Sequence, residues 1–472
     1  MKKSTIALTL SAALLLGACS DDGEDGAAGP AGPAGAAGAD GAPGQNGVSA
    51  LVTRTDVVTT NANLAYAIYS DSLISAQTMR DTLQNFVSNP TDATLASAKQ
   101  AWLDSREPYG QSEVYRFRVG PIDALLPDGT IGEDGDGPEG AINAWPLGEA
   151  IIDYVAAVVD GNAGPENPAN GLSGNVIANV ADYPVINKDT IAGVFEFGED
   201  ERNVTTGYHA IEFLLWGQDL NEDLSGAGQR DSSGGQRPVS DYFTTANGNT
   251  NACTSGVVGS AEDICQRRAD YLMAAADLLI DDLAAVTAAW EPGAGVHYSS
   301  FVAGGDVSLA RILEGMGRLS FGELAGERIN IALTTDSQED EHSCFSDNTH
   351  RDIFLNAKGV QNSYLGTYTR IDGEVVSGAS INDLLVVEGF PELANELRGA
   401  LENTMAAAAV IDTKAKTGTP FDQLIQEGVA QPNVVAVISA LVAQTDDIEQ
   451  AITSLGITTN DLRQDTEEDI GG

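Results

Sequence analysis

The sequence predicts an all-α protein, and two observations carry the prediction. Apolar residues recur at three- and four-residue intervals through five long segments, and no stretch alternates with period two for long enough to define a sheet. Over 269–290, Leu272, Ala276, Leu279, Leu283 and Val286 line one face of a helix, while Asp277, Asp281 and Asp282 fall elsewhere. The same pattern covers 64–86, 93–117, 393–411 and 434–452, where Val434, Val437, Ile438 and Leu441 form the stripe. Helices of this kind bury their apolar faces against one another, so bundles are the expected architecture. Between them, 127–140, 160–174 and 225–235 are rich in Gly, Pro and Asp and read as loops. The pairs Asp128-Gly129, Asp134-Gly135 and Asp136-Gly137 lack the ligand order and closing Glu of a calcium loop, so that segment reads as an ordinary acidic loop.

Two segments of different character precede the helices. Residues 1–18 carry Lys2 and Lys3, an apolar run and then Leu16-Gly17-Ala18 before Cys19, the layout of a secretory signal too short to span a bilayer. This run resembles the bacterial lipobox, in which the cysteine is acylated and becomes the mature N-terminus. Cys19 is therefore the expected lipid anchor in the bilayer, and Ser20 after it resembles the signal for the outer membrane, facing the periplasm or the cell surface. Glycine then occupies every third position over 23–47, the collagen period, which exists because only hydrogen fits at the axis of three polyproline strands. With Pro30, Pro33 and Pro43 alone, the tract is short for a free-standing trimer and reads first as a stalk, with trimerisation as the secondary expectation. The expected organisation is thus a signal at 1–18, a lipidated cysteine and stalk at 19–48, a helical domain at 49–455 and an acidic tail at 456–472.

The 69 acidic and 24 basic residues give a net charge of -45, which argues against nucleic acid and anionic lipid surfaces as partners. Cations are the natural ligands, and the bulk acidity also serves solubility. Cys253 and Cys265 bracket a polar, Gly-containing loop and are the expected disulfide in an oxidising envelope. Cys344 is left over and reads as a small buried hydrophobe.

The stretch Thr205-Thr206-Gly207-Tyr208-His209-Ala210-Ile211-Glu212-Phe213-Leu214-Leu215-Trp216-Gly217 carries the chemistry. A threonine can cap the helix, Gly217 can end it, and His209 and Glu212, three apart, leave the same face. An imidazole and a carboxylate so placed can share one cation, and in so apolar a helix a buried Glu needs a partner, a metal or an Arg, to stay ionised. A surface ion pair or a satisfied core histidine would give the same spacing.

Gly207-x-His209-x-x-Glu212 followed by Phe-Leu-Leu-Trp-Gly is very similar to the signature of the imelysin family, also called insulin-cleaving membrane protease or iron-regulated protein A relatives. Ala101-Trp102, Gln111 to Phe117, Gly120-Pro121-Ile122-Asp123, Gly326-Glu327-Arg328 and the run from Glu339 to His350 resemble further family segments, so the likeness spans about 55 to about 455. The resemblance implies two helical bundles related by pseudo-symmetry, a pocket near their interface and an iron-linked role. On that basis His209 and Glu212 are the expected metal ligands, Glu113 and Asp123 further oxygen donors, and Arg106 and Arg116 groups that orient a carboxylate. Gly207, His342, Ser343, Asp347 and His350 complete the expected pocket. Carboxylates with one imidazole suit iron, with haem or another divalent cation as alternatives.

Iron acquisition or homeostasis, with an iron-uptake or envelope protein as partner, is the first functional expectation. A metal-dependent peptidase, as the family's older name asserts, is the second; the chain has no His-Glu-x-x-His run and only four histidines with which to build a zinc site. A non-catalytic protein-interaction module is the third.

Overall fold

Thr53 starts the first long helix with a reciprocal capping box: its hydroxyl accepts from the Asp56 amide while the Asp56 carboxylate accepts from the Thr53 amide. That helix, Arg54–Ser88, is followed after a three-residue connection by Asp92–Tyr109, opened by a second box at Thr91. So short a link makes the two helices antiparallel neighbours. The computed structural model describes residues 51–132, 137–155, 175–220, 230–249, 253, 261–426 and 431–463. The signal, Cys19 and the collagen-like triplets lie outside the described residues, as do the loop 160–174, much of 225–235 and the acidic pairs at 134–136.

Among the described residues the fold is all-helical but for one short hairpin. The five segments with helical periodicity fall in helices Arg54–Ser88, Asp92–Tyr109, Ala261–Ala289, Pro391–Lys416 and Gln431–Ser454. Leu272, Leu279, Leu283 and Val286 pack against Ile68, Met79, Leu83, Phe86 and Trp102 in a large core. A second, smaller core joins Phe321, Leu324, Ile353, Ile411, Val434, Val437 and Leu441. Each such side chain contributes about 1.5–3 kcal/mol on leaving water. Both cores lie within one compact unit that begins at residue 50.

The structure corrects the sequence expectation at three places. The helix expected over 93–117 stops at Tyr109, with Pro108 in its last turn and Gly110 pressed on Leu355, where a Cβ would meet the Leu355 Cβ at 2.8 Å. Strands Thr367–Thr369 and Val375–Ser377 pair antiparallel around Asp372-Gly373, three residues each and too short for a period of two to register. The body also runs past the expected boundary at 455: Leu462 is buried against Gly317, Asn460 donates to Glu314, and Arg463 pairs with Asp446 and Glu449. Cys253 and Cys265 are disulfide-bonded, and Cys344 is a buried free thiol.

Charge is buried as well as apolar surface. Asp153 accepts from Arg268 Nε at 2.6 Å and Nη2 at 2.9 Å, and from Arg237 Nη1 at 2.8 Å, with all three groups buried. The two guanidiniums hold its carboxyl below the usual range against the opposing effect of burial. Removing the acid would leave two buried guanidiniums with Asp241 alone to balance them, so Asp153→Ala is expected to cost about 3–5 kcal/mol, read as a fall in the denaturant midpoint. Asp282 is the opposite case. It lies in a cleft of about 700 Å³ between residues 125–129 and 137–141 on one side and the Ala261–Ala289 helix on the other, its Oδ2 is buried without a partner, and burial pushes its carboxyl up to about 7. A raised acid contributes stability fully present below its unfolded value and lost as pH rises through the folded one, here between about 4 and about 7. Asp282→Asn should therefore raise the melting temperature at pH 8 and leave it nearly unchanged at pH 4, a difference that thermal melts at the two pH values would register.

Candidate functional site

The Gly207–Trp216 helix is wholly buried and depends on its first residue. Gly207 has φ +75° and sits so close to the Glu139–Asn143 turn that a Cβ would lie 2.2 Å from the Ile142 carbonyl oxygen. No side chain fits there. Trp102 Nε1 donates to the Tyr208 carbonyl, Tyr242 Oη to the Leu214 carbonyl, and Thr206 Oγ1 to the Ala141 carbonyl, which fixes the helix against its neighbours.

One turn in, His209 and Glu212 are side by side, with Nδ1 2.9 Å from Oε2 and both groups fully buried. The other carboxylate oxygen of Glu212 accepts from the Ser346 amide at 3.0 Å and its hydroxyl at 2.6 Å. Burial pushes the Glu212 carboxyl up to about 8, opposed by the Ser346 hydrogen bonds and Arg106, and holds the His209 imidazole neutral at ordinary pH. With Glu212 ionised, Nδ1 donates to it and Nε2 keeps its lone pair; with Glu212 neutral, the carboxyl donates to Nδ1 and the ring proton sits on Nε2. That Nε2 is buried and without a hydrogen-bond partner.

The His209 ring packs edge-on against His342, centroids 4.7 Å apart, and against Trp145 at 5.2 Å. His342 Nε2 lies 3.1 Å from Asn143 Nδ2, and Asn143 Oδ1 accepts from Arg106. Because Arg106 can only donate, the amide must present its NH₂ to His342, which places the His342 proton on Nδ1. Arg106 is held in turn by Asp352 at 2.7 Å, and Asp352 also accepts from Ser343. Asp352, Arg106, Asn143 and His342 thus form a continuous buried chain.

His342 and Asn143 line one wall of a polar cavity of about 340 Å³, together with Trp145, Arg116, Glu139, Glu323, Glu327, Arg328 and Asp340. The 319–330 segment contributes three of these as a π-helical stretch inside a longer helix, an irregularity often found at functional sites. Arg328 bonds Glu113 at 2.7 Å, Glu323 at 2.9 Å and Asn356 at 2.8 Å, and Arg116 bonds Glu323 at 2.9 Å. Glu139 is pushed up to about 7 by burial, against the pull of Arg116.

Of the residues expected at the site, Gly207, His209, Glu212, Arg106, His342 and Ser343 belong to one connected cluster, and Arg116 shares the cavity. The four expected ligands do not meet around one point: among the described residues, the one set of three or more His, Cys, Asp or Glu donors within 4.8 Å of one another is Asp219, Asp347 and Asp422. Glu113 is drawn off by Arg328, Arg116 and Asn143, and Asp123 accepts the Arg118 amide at 3.3 Å and lines a separate cavity with Phe117 and Arg318. Arg106 orients Asp352 and not Glu212. His350 Nδ1 donates to the Asp347 carbonyl at 2.9 Å, and its other nitrogen faces Asp412 at 3.7 Å, a helix-end role. Asp347 joins the carboxylate set with Asp219 and Asp422. Asn143, Ser346 and Asp352 were not anticipated, since nothing local marks a loop Asn, a turn Ser or a helical Asp as partners of groups so distant in the chain.

Fold and site together define an all-helical protein with a buried histidine–glutamate pair behind a charged cavity. The chain belongs to the imelysin family, whose model matches residues 65–448. Its fold is similar to that of a protein from Parabacteroides distasonis ATCC 8503 described as an iron-regulated protein A precursor (TM-score 0.55, 16% identity, 86% of this chain and 96% of that one). It is also similar to an imelysin-like protein from Psychrobacter arcticum 273-4 (TM-score 0.52, 15% identity, 86% and 97%). No curated protein matches the chain.

Gly207 permits a direct test of how the site is held. Gly207→Ala should destabilise the protein by roughly 3 kcal/mol or more, since it adds both a clash and left-handed strain. A thermal melt within a degree or two of wild type would show that the motif glycine is dispensable.

Proposed function

We propose that this protein is a non-enzymatic metal-handling component of the cell envelope, anchored through acylated Cys19 at the outer membrane, that takes iron at the inner end of the polar cavity. The observation that carries the reading is the His209 Nε2 atom, buried, unpartnered and backed by Glu212, which would turn the Nε2 lone pair outward once a nearby cation ionises the carboxyl. A metal-binding imidazole usually donates its other N–H to a carboxylate, which fixes the tautomer and raises the ring's basicity. Glu212 holds that supporting position, with Ser346 keeping the carboxylate in place. His342 packs against the His209 ring with its Nε2 occupied by the Asn143 amide, and the acids lining the cavity supply hard oxygen groups along the way in. A bound iron would supply an electrophilic, redox-active centre; this chain's own residues would orient the imidazole and exclude bulk water.

The described site offers less to a peptidase. The one acid beside His209 is tied to that imidazole and to Ser346, so no free carboxylate stands ready there as the base that activates a water.

The test is titration of the purified, metal-stripped chain with ferric iron, ferrous iron, zinc and haem. Wild type should take iron at one site, His209→Ala should lose it, and Glu212→Gln should bind about 10–100-fold more weakly, because it keeps the ring's support but not its charge. Equal uptake by all three proteins would remove the assignment, and preference for haem or zinc would redirect it. Cleavage of an unfolded protein substrate that stops on adding chelator would establish the peptidase instead.

A further inference from the structure

Three carboxylates converge beside the loop that carries His342 and Ser346, and a fourth lies within reach of their charge. Asp219 follows the Gly207–Trp216 helix by three residues, Glu341 and Asp347 stand at the two ends of the loop 341–347, and Asp422 lies in the short helix Phe421–Ile425. Oxygens of Asp219, Asp347 and Asp422 all lie within 4.8 Å of one another. That is the spacing of oxygens around a single cation at about 2.4 Å from each.

Proximity of acids alone would not identify a site. Asp422 supplies the second observation: it is 2% exposed, belongs to that set, and its Oδ1 is buried with no hydrogen-bond partner. Glu341, 1% exposed, has the Thr349 hydroxyl against its carboxylate, and the acid charges that bear most on it are those of Asp422 and Asp347. Burial and the neighbouring carboxylates push Asp347 up to about 8 and Asp422 to about 6. Orphaned buried carboxylate oxygens are costly unless something positive meets them. Arg230, the cation whose charge reaches Glu341 and Asp422, does not fill that role. It donates to the backbone carbonyls of Asp422 and Asp336 and pairs with the Asp336 carboxylate at 3.2 Å. Asp231 adds further negative charge near Asp347 and Asp422.

We infer that Asp219, Glu341, Asp347 and Asp422 form a binding site for a hard divalent cation of the calcium class, separate from the His209 site. The donor set is all oxygen, with neither nitrogen nor sulfur, which suits calcium and disfavours zinc or copper. The cation ties three segments far apart in sequence: the end of the motif helix, both ends of the 341–347 loop, and the 421–425 helix that packs on the smaller core. The site therefore braces the loop from which His342 reaches the cavity and Ser346 holds Glu212. The inference does not rest on iron binding, and its test leaves His209 and Glu212 intact.

The full chain, stripped with chelator, is titrated with calcium by calorimetry in ~0.15 M salt, where diffuse attraction to the acidic surface is screened. Wild type should bind one calcium ion with an accompanying rise in melting temperature. Glu341→Gln and Asp422→Asn, which keep side-chain volume, should abolish both. Asp372→Asn, which removes an exposed acid of the hairpin turn, should leave both unchanged. Because each amide substitution also relieves buried repulsion, the two site variants should melt at or above the temperature of stripped wild type, so loss of binding cannot be confused with failure to fold. Absence of calcium binding and of any thermal shift in wild type would overturn the inference. So would uptake that survives both site variants, or a site that takes ferric iron and refuses calcium.

Discussion

The buried pair of Arg106 and Asp352 holds the site together. It links the Asp92–Tyr109 helix to the Thr349–Leu365 helix at 2.7 Å with both side chains out of water. Each member also makes a second bond. Arg106 fixes the Asn143 amide that faces His342, and Asp352 accepts from Ser343 one residue beyond that histidine. Two buried charges satisfied in this way specify one arrangement, because moving either would strand the other without solvent. The position of His342, and through ring contact that of His209, follows from an ion pair to which neither histidine belongs.

Basic residues are scarce in this chain, 24 against 69 acids, and several are placed in the interior. Arg268 and Arg237 neutralise Asp153, Arg328 neutralises Glu113 and Glu323, and Arg106 neutralises Asp352. In each case the guanidinium bridges segments distant in sequence, so the interior charges act as fasteners between helices whose apolar faces alone would tolerate sliding. The carboxylates around Asp422 stand out by contrast. They converge without a guanidinium directed at them, and the cost of that arrangement is what makes a bound cation the natural complement.

Much of the fold was legible in sequence because it rests on local periodicity. Val434, Val437, Ile438 and Leu441 are each buried, as are Leu272, Leu279, Leu283 and Val286. What escaped was set by contacts outside any local window. Leu355 presses against Gly110 just past the second helix, and Leu462 fills the room left by Gly317, neither visible in a periodic pattern. The cluster around His209 was legible at Gly207, Glu212 and His342, which sit in recognisable runs. Asn143, Ser346 and Asp352 were not, because each joins the cluster through a hydrogen bond spanning at least 134 residues.

The motif itself shows how spacing can mislead about roles. Three residues apart on a helix, an imidazole and a carboxylate are near enough to meet, and near enough is also hydrogen-bonding distance, 2.9 Å here. Once bonded to each other, they no longer present two lone pairs to a common point; the carboxylate faces the back of the ring, and the ring presents its remote nitrogen in the opposite direction. The pair therefore acts in series. Glu212, fixed by Ser346, is bonded to His209 Nδ1, and His209 Nε2 is the ring atom left without a partner. A His-x-x-Glu run in a buried helix is thus one hydrogen-bonded pair with a single ring nitrogen left over, and any further groups around that nitrogen have to come from other segments.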